Sequence, residues 1–122
     1  MKKTIRLALV ALSGMPCIIS AQSQSGNFWL EQCTDPVLDS VCLGYVHGLA
    51  DGIDATTIVL NNSFAGKPNE RLMYCIPHRV TTGQARDVFV HYLQAHPGSR
   101  HHPASGLFIN AMQEAFPCPS KK

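Results

Sequence analysis

The stretch VTTGQARDVFVHYLQAHP, Val80 to Pro97, decides the fold class. Thr81 and Gln84 have the Thr-x-x-Gln spacing of a capping box, in which each side chain satisfies the other residue's backbone N–H. Val80 stands where it can staple against Ala85. Ala85, Val88, Phe89, Tyr92 and Leu93 then recur at three- and four-residue intervals, so they line one face of a helix. His96-Pro97 stops it, because a proline disfavours helical backbone at the residue before it.

On the C-terminal side a second apolar stripe follows at once. Ala104, Leu107, Phe108, Ala111, Met112 and Ala115 predict a helix from about Pro103 to Phe116, ended by Pro117. The connection from Pro97 to Pro103 is short, so the two helices should form an antiparallel hairpin.

On the N-terminal side Leu38, Val41, Cys42, Tyr45, Val46, Leu49, Ile53 and Thr57 make a third stripe. It predicts a long helix from about Pro36 to Leu60, with Asp35 as cap and Pro36 at the first helical position. Asn61-Asn62-Ser63 should end it. Gly44, Gly48 and Gly52 sit four apart on one face of this helix. Each costs about 1 kcal/mol relative to alanine in a helix interior. Close approach of another backbone, from a neighbouring helix or a second copy of the chain, would explain them. The expected fold is all-α: a small disulfide-stapled bundle of three main helices plus a short N-terminal helix.

The chain begins as an exported protein does. Lys2, Lys3 and Arg6 precede the apolar run LALVALSGMPCIIS, Leu7 to Ser20, and Ser20-Ala21-Gln22 offers a small-residue cleavage point. That order marks residues 1–21 as a secretory signal peptide. The run is too short for a membrane anchor, which needs roughly 20 apolar residues. Met15-Pro16 before Cys17 fits a lipidation site poorly. Residues 22–122 should then form a single helical domain with a core of about 28–118. The leader takes Lys2, Lys3 and Arg6 with it, so 7 basic residues face 8 acidic ones in the mature chain. With no basic surplus, nucleic-acid and anionic-lipid partners are not expected.

Cleavage also leaves four cysteines, Cys33, Cys42, Cys75 and Cys118. An even number in a short exported chain reads as a disulfide framework. The hairpin would bring Cys75 and Cys118 together and leave Cys33 and Cys42 to each other. Four cysteines allow three pairings, and the other two stay open.

The same oxidising context argues against catalysis. A cysteine nucleophile needs a free thiolate. No GxSxG elbow is present for a serine triad, and there is no phosphate loop or dinucleotide fingerprint. His91, His96, His101 and His102 lack the i, i+4 spacing of a helical zinc site, and His47 and His78 are isolated. Neither a metal nor a cofactor is expected. Asp51 and Asp54 share a helical face and read as a solvated or partner-facing edge. The irregular stretch from Asn61 to Tyr74 is long for a compact domain, which makes it a place to look for recognition.

Three ordered blocks carry a resemblance: CLGYVHGLADG from Cys42, CIPHRVTTGQARDVFVHYLQAHP from Cys75, and RHHPASGLFINAMQEAFPC from Arg100. Together they resemble the Rap/Tai family of type VI secretion amidase immunity proteins, over roughly Phe28 to Cys118. The resemblance implies a periplasmic protein that binds a peptidoglycan-cleaving amidase and blocks its active site. It implies a small helical fold, and dimers occur in the family, so Gly44, Gly48 and Gly52 could serve a helix-packing or homodimer contact. On that reading Phe64, Lys67, Glu70 and Arg71 are the expected partner-binding residues. A second class also fits a small, helical, disulfide-bonded exported chain: a periplasmic acid-stress chaperone of the HdeA kind, with six histidines to change charge between about pH 5 and 8.

Overall fold

In the computed structural model, residues 24–63 and 73–119 are described. They form four α-helices: α1 (Gly26–Thr34), α2 (Asp39–Ser63), α3 (Thr82–Ala95) and α4 (Ala104–Ala115), with a 3-10 turn at Pro97–Ser99 between the last two. The fold is all-α, and among the described residues the only β feature is an isolated bridge between Ser25 and Pro103. The expected signal peptide, residues 1–21, lies outside the described residues.

α3 starts as its sequence dictates. The Thr81 hydroxyl accepts from the Gln84 backbone N–H at 3.2 Å, and the Gln84 side-chain oxygen accepts from the Thr81 N–H at 3.0 Å. Its far end is closed from outside the helix. The Arg100 guanidinium donates to the carbonyls of Leu93 and Gln94, two of the groups that a helix C-terminus leaves without partners. Ala85, Phe89 and Leu93 are buried, and so are Ala104, Leu107, Phe108, Ala111 and Met112 of α4. α1 and α2 complete the core with Trp29, Cys42 and Val46. The indole of Trp29 stacks on the ring of Tyr45, centroids 3.5 Å apart, which locks α1 on α2.

Two boundaries of α2 differ from the sequence reading. Asp35 does not cap α2, which begins at Asp39. Its N–H closes α1 on the Glu31 carbonyl, and its carboxylate accepts from the Val37 N–H at 2.8 Å. That local turn competes with helix for the same aspartate, as Asx turns do. At the other end Asn61, Asn62 and Ser63 continue the helix instead of stopping it. Asparagine is a poor helix former but lowers stability by only a few tenths of a kcal/mol, too little to end an established helix.

The sulfurs pair Cys33 with Cys42 and Cys75 with Cys118. The first bridge ties α1 to the start of α2. The second joins the entry to α3 with the exit from α4, and beside it the Cys75 N–H donates to the Phe116 carbonyl at 2.9 Å.

α1 is seated on the α3–α4 connection by its backbone. The N–H of Gly26 donates to His102, that of Asn27 to Arg100, and the Gln24 carbonyl accepts from Ala104, all between 2.9 and 3.1 Å. Gly26 is buried there. A Cβ at this position would stand 2.5 Å from Leu107 Cδ1, 2.9 Å from Leu93 Cδ2 and 3.0 Å from the Arg100 carbonyl oxygen. Gly26→Ala should therefore cost about 1–3 kcal/mol, the range for overpacking a filled core, as measured by denaturant unfolding. An unchanged midpoint would show that α1 can lift off that connection freely.

Candidate functional site

Two surfaces of α2 stand out. The first is its outer face. Gly44, Gly48 and Gly52 lie exposed, and a Cβ at any of them would meet no atom within 4 Å. Of the two partners the stripe allowed, a neighbouring helix of the same chain is not packed against it among the described residues, which leaves a second copy. Helical spacing states which residues share a face, not what lies against that face. Val41 is half exposed on this helix, and Ile58 and Val59 are more so, each at 61%.

The second surface is a cleft of about 490 Å³ between α2, the segment 74–80 and the start of α3. Val46, Ala50 and Ala85 contribute its apolar wall, and His47, Asp54 and His78 carry its polar groups. Tyr74 also lines it. Its ring meets Phe108 edge-on at 6.3 Å, the residue is 8% exposed, and its hydroxyl has no hydrogen-bond partner among the described residues. Burial, and secondly the charge of Asp54, push the Tyr74 phenol up to about 12. The folded protein therefore favours the neutral phenol. That contribution to stability is complete below about pH 10, the unfolded value, and is lost as pH rises from there to about 12. Tyr74→Phe should flatten the stability loss over this alkaline window in pH-dependent unfolding. An identical alkaline slope in the variant would assign the loss to other groups.

Asp51 and Asp54 part company in the structure. Asp51 sits 3.4 Å from His47 Nε2 on the surface of α2, whereas Asp54 faces the cleft. The histidines near the α3–α4 connection make local contacts. His96 stacks on Tyr92 at 4.1 Å with Nδ1 2.9 Å from the Tyr92 carbonyl oxygen, and the rings of His101 and His102 lie 4.0 Å apart. Among the described residues no group of three or more histidine, cysteine or acidic side chains could hold a metal. Phe64, Lys67, Glu70 and Arg71, expected to bind a partner, lie outside the described residues. Sequence reading passed over Tyr74, which carries no motif. Its one sequence signal is an aromatic residue directly before Cys75.

A protein-family model described as Rap1a immunity proteins matches residues 25–118, which takes in all four helices and both bridges. The chain belongs to the Rap1a family of immunity proteins. Comparison with curated proteins and with solved structures gives no match. Membership implies that this Rap1a-family chain is an immunity protein that acts on a secreted effector, an inhibitor's role. Two disulfides, Cys33–Cys42 and Cys75–Cys118, close its core. Among the described residues no helix of this Rap1a-family protein is long and apolar enough to cross a membrane.

Proposed function

We propose that this protein is a periplasmic immunity protein that binds a peptidoglycan-cleaving amidase, delivered by a type VI secretion system, and covers its active site. The observation that carries the reading is the Rap1a match across residues 25–118, joined to the three-block resemblance to amidase immunity proteins. The leader at residues 1–21 would direct the chain to the compartment where the wall is attacked, and residues 22–122 would be the working domain. A bundle closed by two disulfides supports inhibition by occlusion, because a rigid binder loses little conformational entropy on docking. The segment holding Phe64, Lys67, Glu70 and Arg71 is the proposed point of insertion into the enzyme's cleft.

The test is a pull-down of the oxidised protein against the product of the adjacent reading frame, followed by a wall-hydrolysis assay. A stable complex that abolishes hydrolysis supports the proposal. A complex that leaves hydrolysis intact, or no complex, overturns it, and the chaperone alternative then becomes the reading to test by acid-induced unfolding.

Homodimerisation through the outer face of α2 belongs to the same proposal. The open stripe at Gly44, Gly48 and Gly52 supports it, since glycines let two helices approach closely and their cost otherwise has no return in the described residues. Gly48→Leu should keep the helical fold, because open space surrounds the position, and should convert a dimer to monomer in sedimentation. A dimer that survives Gly48→Leu places the contact elsewhere.

A further inference from the structure

The cleft between α2 and the entry to α3 has chemistry that the described chain leaves unused. We propose that it takes an arginine side chain of a partner protein, with the guanidinium against Asp54 and the aliphatic stem along Ala50 and Ile76.

Charge decides the sign of the guest. Among the described residues that line the cleft, Asp54 is the one carboxylate, it is exposed, and there is no lysine or arginine. Asp51, one turn before, adds negative charge beside His47. The start of α3 opposes this with roughly half a positive charge, but the Thr81–Gln84 box already occupies two of its N–H groups, so a full carboxylate outweighs it.

Shape and hydrogen bonding favour arginine over a compact ammonium. The wall is apolar enough to hold a methylene stem, as long cationic side chains require when they bury their stems and keep the charge at a polar end. The planar guanidinium can fork onto a carboxylate and lie over an aromatic ring at once. Tyr74, which lines the cleft, supplies the ring.

That the side chain comes from an effector rests on the immunity reading; the binding itself does not. The experiment therefore uses a small probe and no effector. The oxidised protein is titrated with N-acetyl-arginine methylamide, followed by amide chemical shifts, with the citrulline analogue as an uncharged isostere. The expected result is saturable shifts confined to His47, Ala50, Asp54, Tyr74, Ile76 and their neighbours, absent with citrulline. Asp54→Asn, at an exposed position that leaves the fold intact, should weaken binding about tenfold, and Tyr74→Phe should weaken it less. Equal response to citrulline, no effect of Asp54→Asn, shifts centred elsewhere, or no shift at the probe's solubility limit each overturns the inference. If the probe binds but no hydrolase does, the cleft stands and the immunity proposal falls. The reverse outcome removes the cleft alone.

Discussion

Replacing Cys75 and Cys118 together by serine is expected to lower stability by about 4 kcal/mol. The two residues are 43 apart in sequence, and the entropy that a cross-link removes from the unfolded chain grows with the loop it closes. The Cys33–Cys42 bridge closes a separation of only 9, for which the same relation gives about 2.5 kcal/mol. The ranking matters more than either value. A bridge over the α3–α4 hairpin restrains about half of the helical residues, whereas the other restrains one inter-helix turn. For a domain near 100 residues, 4 kcal/mol corresponds to a fall in Tm of roughly 15–30 °C. Paired thermal scans of the two double-serine variants test this. A larger fall for the Cys33/Cys42 variant would mean that seating α1, not closing the hairpin, controls stability.

Phe108→Ala is expected to cost about 3–5 kcal/mol, the range for removing a large aromatic side chain from a core. Phe108 is fully buried on α4, and its ring meets those of Phe89 at 5.6 Å and Tyr74 at 6.3 Å, both edge-on. It thus joins α3, α4 and the floor of the α2 cleft. The alanine would lose the transfer free energy of the ring, two edge-to-face contacts, and the packing that holds Tyr74 in place. The loss should appear as a lowered denaturation midpoint with an unchanged slope, because the surface exposed on unfolding hardly changes. A cost below about 1 kcal/mol would show a core able to collapse around the gap. The arginine probe separates the two consequences: a variant that still folds should lose binding in the cleft as Tyr74 loosens.

Opposite charges hold the same region from the surface. Arg86 on α3 pairs with Asp39 at the start of α2 and with Asp87 at 2.9 Å. The bond to Asp87, chiefly, keeps the guanidinium charged, and Asp39 adds to this. An exposed ion pair contributes little by itself. Here it bridges the start of α2 to α3.

Several features were legible because they depend on neighbours within one helical turn. The α3 cap is an exchange between Thr81 and Gln84, three residues apart, and any chain with that pair before an apolar stripe offers it. The stripes of α3 and α4 predict which residues meet the core for the same reason. The Asp35-Pro36 start failed where two local structures compete for one carboxylate, since an Asx turn onto Val37 and a helix cap have the same sequence signature. The Gly44, Gly48 and Gly52 stripe was found, but not which partner would lie on it, because periodicity is silent about what stands opposite.

By itself, then, the order of residues determined the helical class, the number of main helices, one complete cap and the Rap/Tai kinship, all of which rest on short-range spacing or on ordered motifs. Only the tertiary structure decided the rest. It selected one of three cysteine pairings. It pressed Gly26 between Leu93, Leu107 and the Arg100 carbonyl, and left the α2 glycines open. It placed Asp54 of α2 and Tyr74 of the segment before α3 in one cleft. Each of these joins groups far apart in sequence, and their meeting depends on how whole helices pack, which no local pattern encodes.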